Sequence, residues 1–356
     1  MELKIYSQVD IDEVVKKRAG EIRLGEKVCV LKSVSVSELE YNLSASPCRY
    51  VLVGLPEDIG VRANFGRAGA YSAWHPALST ILNVQSNRFL VGDELLVLGF
   101  VDFSKELDEV KDFNIQEKDT ITRIRDLVKE IDEFVAPIIS LIVNSGKEPI
   151  IIGGGHNNAY PNIKGVVEGL MKSGKIIESS INCINCDAHA DLRPLEGRHS
   201  GNAFSYAMEE GFLNKYAIVG LHEIFNTHSV IENIFSNERV LASFFEDIFI
   251  AGDDGFDNAI RDAIIFAGRG YIGLELDLDT IQNIPSSAKT SSGISTIQAR
   301  RFVNKVASHS NVAYFHIAEA APVLSHLKTD LKTGKLIAYL VTDYIKARNH
   351  WHHSKL

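Results

Sequence analysis

The chain has 356 residues, 45% hydrophobic and 23% charged, an ordinary balance for a soluble globular protein with a large core. A formal charge of -9 argues against a nucleic-acid partner, which usually meets a basic face. No apolar run approaches the roughly 20 residues of a membrane helix, and the charged start MELKIYSQVDIDEVVKKRAG lacks a signal-peptide core.

Four cysteines do not make a disulfide framework, so a reducing cytoplasm is the expected setting. Residues 1–48 read as an N-terminal extension with a short helix around Ile11 to Lys17, and residues 49–356 as one catalytic domain. Apolar strands are expected at Tyr50 to Leu55 and Leu95 to Phe100. Ile121, Ile124, Val128, Ile131, Val135, Ile138 and Ile142 recur at three- and four-residue spacing, the mark of a long core-facing helix. A strand Pro149 to Ile152, a helix Ile163 to Met171, and strands Ile181 to Cys186 and Ala217 to Leu221 follow. A helix within Asn258 to Phe266, a strand Tyr271 to Leu278, a helix Thr296 to Ala307, a strand Val312 to Ile317 and a helix Lys335 to Ala347 complete the pattern. Strands alternating with helices imply a parallel sheet covered on both faces, with ligands at the carboxyl ends of its strands. There is no internal repeat, and no Gly-rich dinucleotide or Walker-type loop.

Chemistry concentrates at three strand ends. Asp187, His189 and Asp191 stand at i, i+2 and i+4 after one apolar run, Asp277 and Asp279 end another, and His156 ends IIIGGGH. In extended chain such residues point one way, so four carboxylates and two imidazoles can converge. The set suits two metal ions, and its oxygen content favours Mn²⁺ over zinc. A water between two divalent ions loses a proton near neutral pH, which points to metal-assisted hydrolysis. Cys183 and Cys186 form C-x-x-C, but three residues apart on a strand they face opposite ways and read as small hydrophobes.

Five motifs in order, GLPEDIGVRANFGRAGA (Gly54 to Ala70), GGGH (Gly153 to His156), DAHAD (Asp187 to Asp191), LDLD (Leu276 to Asp279) and AEAAP (Ala318 to Pro322), make the chain resemble the ureohydrolases. These are arginase, agmatinase and formimidoylglutamase, and the resemblance covers about residues 50 to 345. It implies a three-layer arginase-like α/β fold with a mostly parallel eight-stranded sheet, assembled as a homo-oligomer, trimer or hexamer. It also implies two Mn²⁺ per chain, one held by His156, Asp187, Asp191 and Asp277, the other by Asp187, His189, Asp277 and Asp279. Glu319 would face a substrate amidine or guanidine, and Asp279 would hydrogen-bond the nucleophile and relay its proton.

Departures from the arginase pattern point within the family. Phe204 of Ser200-Gly201-Asn202-Ala203-Phe204 stands where arginases have a shuttling His, and Phe225 of GLHEIF where they bind the α-amino group. DAHADLRP resembles the formimidoylglutamase run. The small-molecule substrate implied is N-formimino-L-glutamate, hydrolysed to glutamate and formamide. The alternatives are a urea-releasing arginase, agmatinase or guanidinobutyrase, and a non-catalytic assembly or sensor protein. Arg193 reads either as a guanidinium fork for a substrate carboxylate or as a surface arginine paired with an acid. Ser200 and Asn202 are further substrate-binding candidates, and His199 reads as a replacement general acid or as a plain loop residue. Arg198, His222 and His228 are weaker candidates, and NHWHH (Asn349 to His353) reads as a metal-binding or frayed tail.

Overall fold

A computed structural model describes residues 1–31, 38–252, 255–325 and 331–354. Among the described residues nine strands form one sheet: β1 (Glu2–Ile5), β2 (Tyr50–Gly54), β3 (Leu95–Asp102), β4 (Glu148–Ile152), β5 (Ile181–Cys186), β6 (Leu213–Leu221), β7 (Val240–Phe244), β8 (Tyr271–Asp277) and β9 (Asn311–Ala318). Their order is β1-β3-β2-β4-β9-β8-β5-β6-β7. The pairs are parallel except that of β1 with β3.

Continuous apolar runs make the inner strands because both faces are covered. Leu52, Ile150, Ile152, Ile184 and Leu274 enter one apolar layer with the helices Thr296–His309 and Leu331–His353. Val51, Val53, Ile151, Cys183 and Tyr314 enter the other with the helix Lys118–Asn144. Cys183 and Cys186 fall in opposite layers as free buried thiols, as the strand reading expects. The helix Ala159–Lys172 lies close on Lys118–Asn144 because it offers glycines. A Cβ on Gly165 would come within 2.4 Å of the Ala136 carbonyl oxygen.

The sheet has one strand more than the eight the resemblance implies, and the extra one comes from the N-terminal segment. β1 pairs antiparallel with the edge of β3. Gly99 permits it at φ +128°, where a Cβ would sit 1.9 Å from the Lys4 carbonyl oxygen. The charged MELKI run hides this strand from a hydropathy reading. The first helix is Gln8–Val14, shorter than expected at its C-terminal end.

The C-terminal tail is not frayed: the last helix runs to His353. Arg348 Nε donates to Glu148 Oε2 at 2.9 Å, His352 Nε2 lies 2.7 Å from Glu148 Oε1, and Tyr50 Oη donates to Asn349 Oδ1 at 2.7 Å. These side chains tie the tail to the starts of β2 and β4, and none of the metal-type groups among the described residues includes its histidines. No helix among the described residues is long and apolar enough to cross a membrane.

Candidate metal centre

Four neighbouring strands, β4, β9, β8 and β5, deliver the cluster from their carboxyl ends. His156 follows β4 through a glycine turn, where Gly154 at φ +79° has no room for a side chain: a Cβ would meet Asn158 Nδ2 at 2.3 Å. Asp187 stands just past β5, Asp277 ends β8, and Glu319 follows β9. Short hydrogen bonds shape each end. Asp187 Oδ1 accepts from the His189 amide and Asp277 Oδ1 from the Asp279 amide, both at 2.7 Å. Asp191 holds φ +50° and Glu319 φ +62°, left-handed backbone that turns each carboxylate inward.

His156 Nδ1 lies 3.1 Å from Asp187 Oδ2, 3.1 Å from Asp191 Oδ2 and 3.3 Å from Asp277 Oδ2. His189 Nδ1 lies 3.2 Å from Asp279 Oδ2. Among the described residues three groups of possible ligand atoms form: His156, Asp187, Asp191 and Asp277; Asp187, His189 and Asp279; and, behind these, His156, Glu275 and His316. Asp187 belongs to the first two, and His156 links the first to the third. Asp277, expected as a second shared residue, falls in the first group alone.

Burial, then the charge of Asp277, pushes the Asp187 carboxyl well above its usual range and that of Asp279 up to about 6. Burial pulls His156 down, but the carboxylates of Asp187, Asp191, Asp277 and Glu275 outweigh it and raise its pKa. Among the described residues Asp279 Oδ1 is buried with no hydrogen-bond partner, and both buried ring nitrogens of His156 stand 3.1–3.3 Å from carboxylate oxygens without an aligned hydrogen bond. Unpaired buried polar atoms are destabilising, by about 1–3 kcal/mol each. Divalent cations would engage these oxygens and the Nδ1 atoms, and the mixture of carboxylate and imidazole suits Mn²⁺. The residues fit a metal pair.

The cluster floors a pocket of about 400 Å³, where His189, Asp191, Asp277, Asp279 and Glu319 meet rim residues. Glu319 Oε1 accepts from the His156 amide at 2.9 Å, and burial followed by the charges of Asp277 and Asp279 raises its pKa well above the ordinary range. Arg193 and Ser200 both line the pocket. Arg193 is paired with an acid while it lines the cavity: Nη1 donates to Asn64 Oδ1 at 2.9 Å, Nη2 lies 3.3 Å from Glu196 Oε1, and the group is half-exposed.

Two candidates do not reach the pocket. His199 is buried outside the wall, its Nδ1 accepting from the Gly201 amide at 3.1 Å and its Nε2 lying 3.2 Å from Glu196 Oε1. Burial, then the charges of Arg125, Arg193 and Arg198, pushes its pKa down to about 3, and its hydrogen bonds make it a clasp of the loop rather than a group facing the pocket. Asn202 accepts from Arg198 Nη1 and the His199 amide and donates to the carbonyls of Pro194 and Gly197. With its amide thus occupied, it pins the loop and leaves nothing for substrate.

Phe204 is also buried, stacked on Tyr216 at 4.2 Å between ring centroids and edge-on to His156 at 5.3 Å. Arg198 is locked to Asp132 at 2.8 Å. His222 stacks on Phe245 and is not among the pocket-lining residues, and His228 is fully out on the surface. Sequence reasoning missed Asn64, Arg67 and Asn226 on the rim, which carry no periodic signal. It also missed Glu57, which accepts from the Gly155 amide at 3.2 Å and from Asn157 Nδ2 at 3.1 Å. Glu275 escaped as well, although it continues backward the same two-residue spacing as Asp277 and Asp279.

Aspartates and histidines at adjacent ends of a parallel sheet define a metal-binding α/β protein. The chain belongs to the arginase family, whose sequence profile matches residues 50–345. It is 28% identical over 236 residues to a formimidoylglutamase of Macrococcus caseolyticus, covering 65% of this chain and 70% of that one. It is 24% identical over 282 residues to a Streptococcus pyogenes formimidoylglutamase, covering 77% of each. Among solved structures, the formimidoylglutamase of Bacillus subtilis superposes with a TM-score of 0.71 at 16% identity over 94% of each chain. A Trypanosoma cruzi formiminoglutamase with Mn²⁺ gives 0.68 at 18% identity over 92% of this chain and 98% of that one. At such identities the structural likeness carries the arginase-like fold.

Proposed function

We propose that the chain hydrolyses the formimino C–N bond of N-formimino-L-glutamate, giving glutamate and formamide, with two Mn²⁺ per chain. The observation that carries this reading is the convergence, in one pocket, of the carboxylate–imidazole floor, Glu319 and a rim guanidinium. The formimidoylglutamase relatives support it. We place the protein in the cytoplasm as a homo-oligomer on the same reading.

His156, Asp187, Asp191 and Asp277 would hold one cation, and Asp187, His189 and Asp279 the other, with Asp277 beside both as the family resemblance implies. Such a pair supplies Lewis-acid charge and lowers the pKa of water toward neutrality. The substrate amidinium is a planar cation, and the Glu319 carboxylate faces it across the pocket with a charge-assisted hydrogen bond. Arg193 takes a substrate carboxylate at the rim and so fixes the distance of the formimino carbon from the floor. Water oxygen bonds to that carbon, and the bond from carbon to the glutamate nitrogen breaks. Asp279 accepts the proton that water gives up and passes it to the leaving amine. Phe225 stacks against His189, so an aromatic ring stands where the resemblance places the acid that would bind an α-amino group.

A substrate panel assayed with Mn²⁺, scoring formamide, ammonia and urea separately, tests this reading. Formamide from N-formimino-L-glutamate and little or no urea from arginine, agmatine or guanidinobutyrate is the expected result. Efficient urea release from arginine would overturn the substrate while leaving the metal centre intact. Metal analysis after loading should find two Mn²⁺ per chain, and a single tightly held zinc would overturn the centre itself.

A further inference from the structure

Behind the pocket floor lies a buried charged network, Glu275 and His316, that meets the two pocket-side ligand groups through His156. Glu275 projects from β8 two residues before Asp277 and is fully buried. Its Oε1 accepts from Tyr314 Oη at 2.6 Å, and its Oε2 lies 2.7 Å from His316 Nδ1, both partners standing on β9. The same Oε2 lies 3.3 Å from His156 Nε2, the ring nitrogen turned away from the aspartates. His316 Nε2 in turn lies 3.2 Å from the carbonyl oxygen of Gly153, the first residue of the turn that carries His156.

We propose that Glu275 and His316 are a positioning pair that fixes both the ring of His156 and the turn beneath it. They thereby set the cation affinity of the group His156, Asp187, Asp191 and Asp277. A histidine that ligates through Nδ1 carries its proton on Nε2, and a carboxylate facing Nε2 holds that tautomer and the ring plane. Here Nδ1 is the atom among the three aspartates and Nε2 the atom facing Glu275. Glu275 can serve only if it is itself held, since a buried carboxylate without partners is strongly destabilising. Tyr314 and His316 occupy its two oxygens and provide that hold.

One network therefore grips the ring through Glu275 and the backbone of its turn through His316. Phe204 packs edge-on against the same ring, and Glu319 accepts from the His156 backbone amide, so ring and backbone of this residue are each held a second time. Among the described residues His189, in the other group, has no carboxylate ion-paired to its Nε2; its ring stacks on Phe225, which is 41% exposed. The pair should act on one cation and not on the other. The inference rests on the metal-centre reading and is independent of the substrate.

Equilibrium Mn²⁺ titration of the full chain against a competing chelator tests it. For Glu275→Gln, one of the two ions should weaken by about 10–100-fold, with the other unchanged and KM unaltered at saturating Mn²⁺. In a His156→Asn background the same substitution should add nothing, because Glu275 acts through that ring. His316→Gln should weaken the same ion by less, and it decides the matter alone if Glu275→Gln does not fold. Equal losses at both ions, or losses that add to those of His156→Asn, mark a merely structural role and overturn the proposal. A wild type that binds two ions with both variants equal to it overturns this inference alone. A wild type that binds no Mn²⁺ overturns the metal-centre reading and this inference with it.

Discussion

The floor of the pocket comes from strand ends and is almost wholly buried, whereas its rim comes from loops and opens to solvent. Asp187, Asp277, Asp279 and Glu319 are each at most 5% exposed, while Arg193 and Phe225 on the rim stand near 40%. On the floor each carboxylate is aimed by sheet geometry, and a neighbour's charge is felt at nearly full strength. On the rim, orientation depends on pairs such as Arg193 with Asn64, and water screens the charges. Chemistry needs the first regime, and choice among substrates can be left to the second. If so, substitutions on the floor should abolish turnover and those on the rim should shift KM.

The largest effect should come from Asp277→Asn. It removes a charge from the middle of the His156 group, and activity should fall by several orders of magnitude with secondary structure retained in circular dichroism. A variant that stays active would remove Asp277 from the floor. Glu319→Gln is a finer cut, because the amide still accepts from the His156 backbone while losing the charge opposite the amidinium. Its kcat should drop by about 100-fold in steady-state kinetics, the scale of one preorganised charge-stabilising partner. A change confined to KM would assign Glu319 to the rim's kind of work.

Arg193→Ala should do the reverse. Loss of a charged hydrogen bond to the substrate is worth about 1.5–3 kcal/mol, read mainly as a raised KM for N-formimino-L-glutamate. Part of the loss reaches kcat if the carboxylate also places the formimino carbon. An unchanged KM would reduce Arg193 to its pairing with Asn64 and Glu196.

The same contrast explains what could be read from the residues alone. Asp187, His189 and Asp191, and Asp277 with Asp279, announce themselves because strand alternation and a site at strand ends are local rules. His156 is legible for the same reason, through IIIGGGH. β7 was missed because VLASF is short and only partly buried, and β1 because MELKI is charged. Rim partners cannot be read this way: Asn64 and Ser200 meet across 136 residues of sequence. His199 and Asn202 misled for a related reason. They adjoin Ser200, which does line the pocket, but the short helical turn at Ser200–Asn202 sends them inward to clasp the loop. The buried supports Glu57 and Glu275 carry ordinary acidic signals in sequence and gain their role from contacts made by other strands and loops.

His199 gives the smallest effect on turnover and the sharpest test of where rim becomes scaffold. Nδ1 accepts from the Gly201 amide, so the ring is neutral with its proton on Nε2 toward Glu196, and adding a proton to Nδ1 breaks the clasp. The folded pKa of about 3 lies below the unfolded value near 6.5. Between those values the unfolded chain binds more protons than the folded one. The stability this residue contributes is therefore complete above about pH 6.5 and is lost progressively as the pH falls toward 3. His199→Gln lacks a group that titrates there. Unfolding free energies of metal-free wild type and variant, measured in denaturant from pH 8 to pH 4, should differ most at pH 8, and the gap should close on acidification. Other carboxylates titrate over the same range, but they are common to both proteins and cancel in the difference. At pH 8 the variant should keep most of its kcat, since the ring never reaches the pocket. A gap independent of pH would mean that His199 is not held neutral, and a collapse of kcat with stability unchanged would return it to the catalytic machinery.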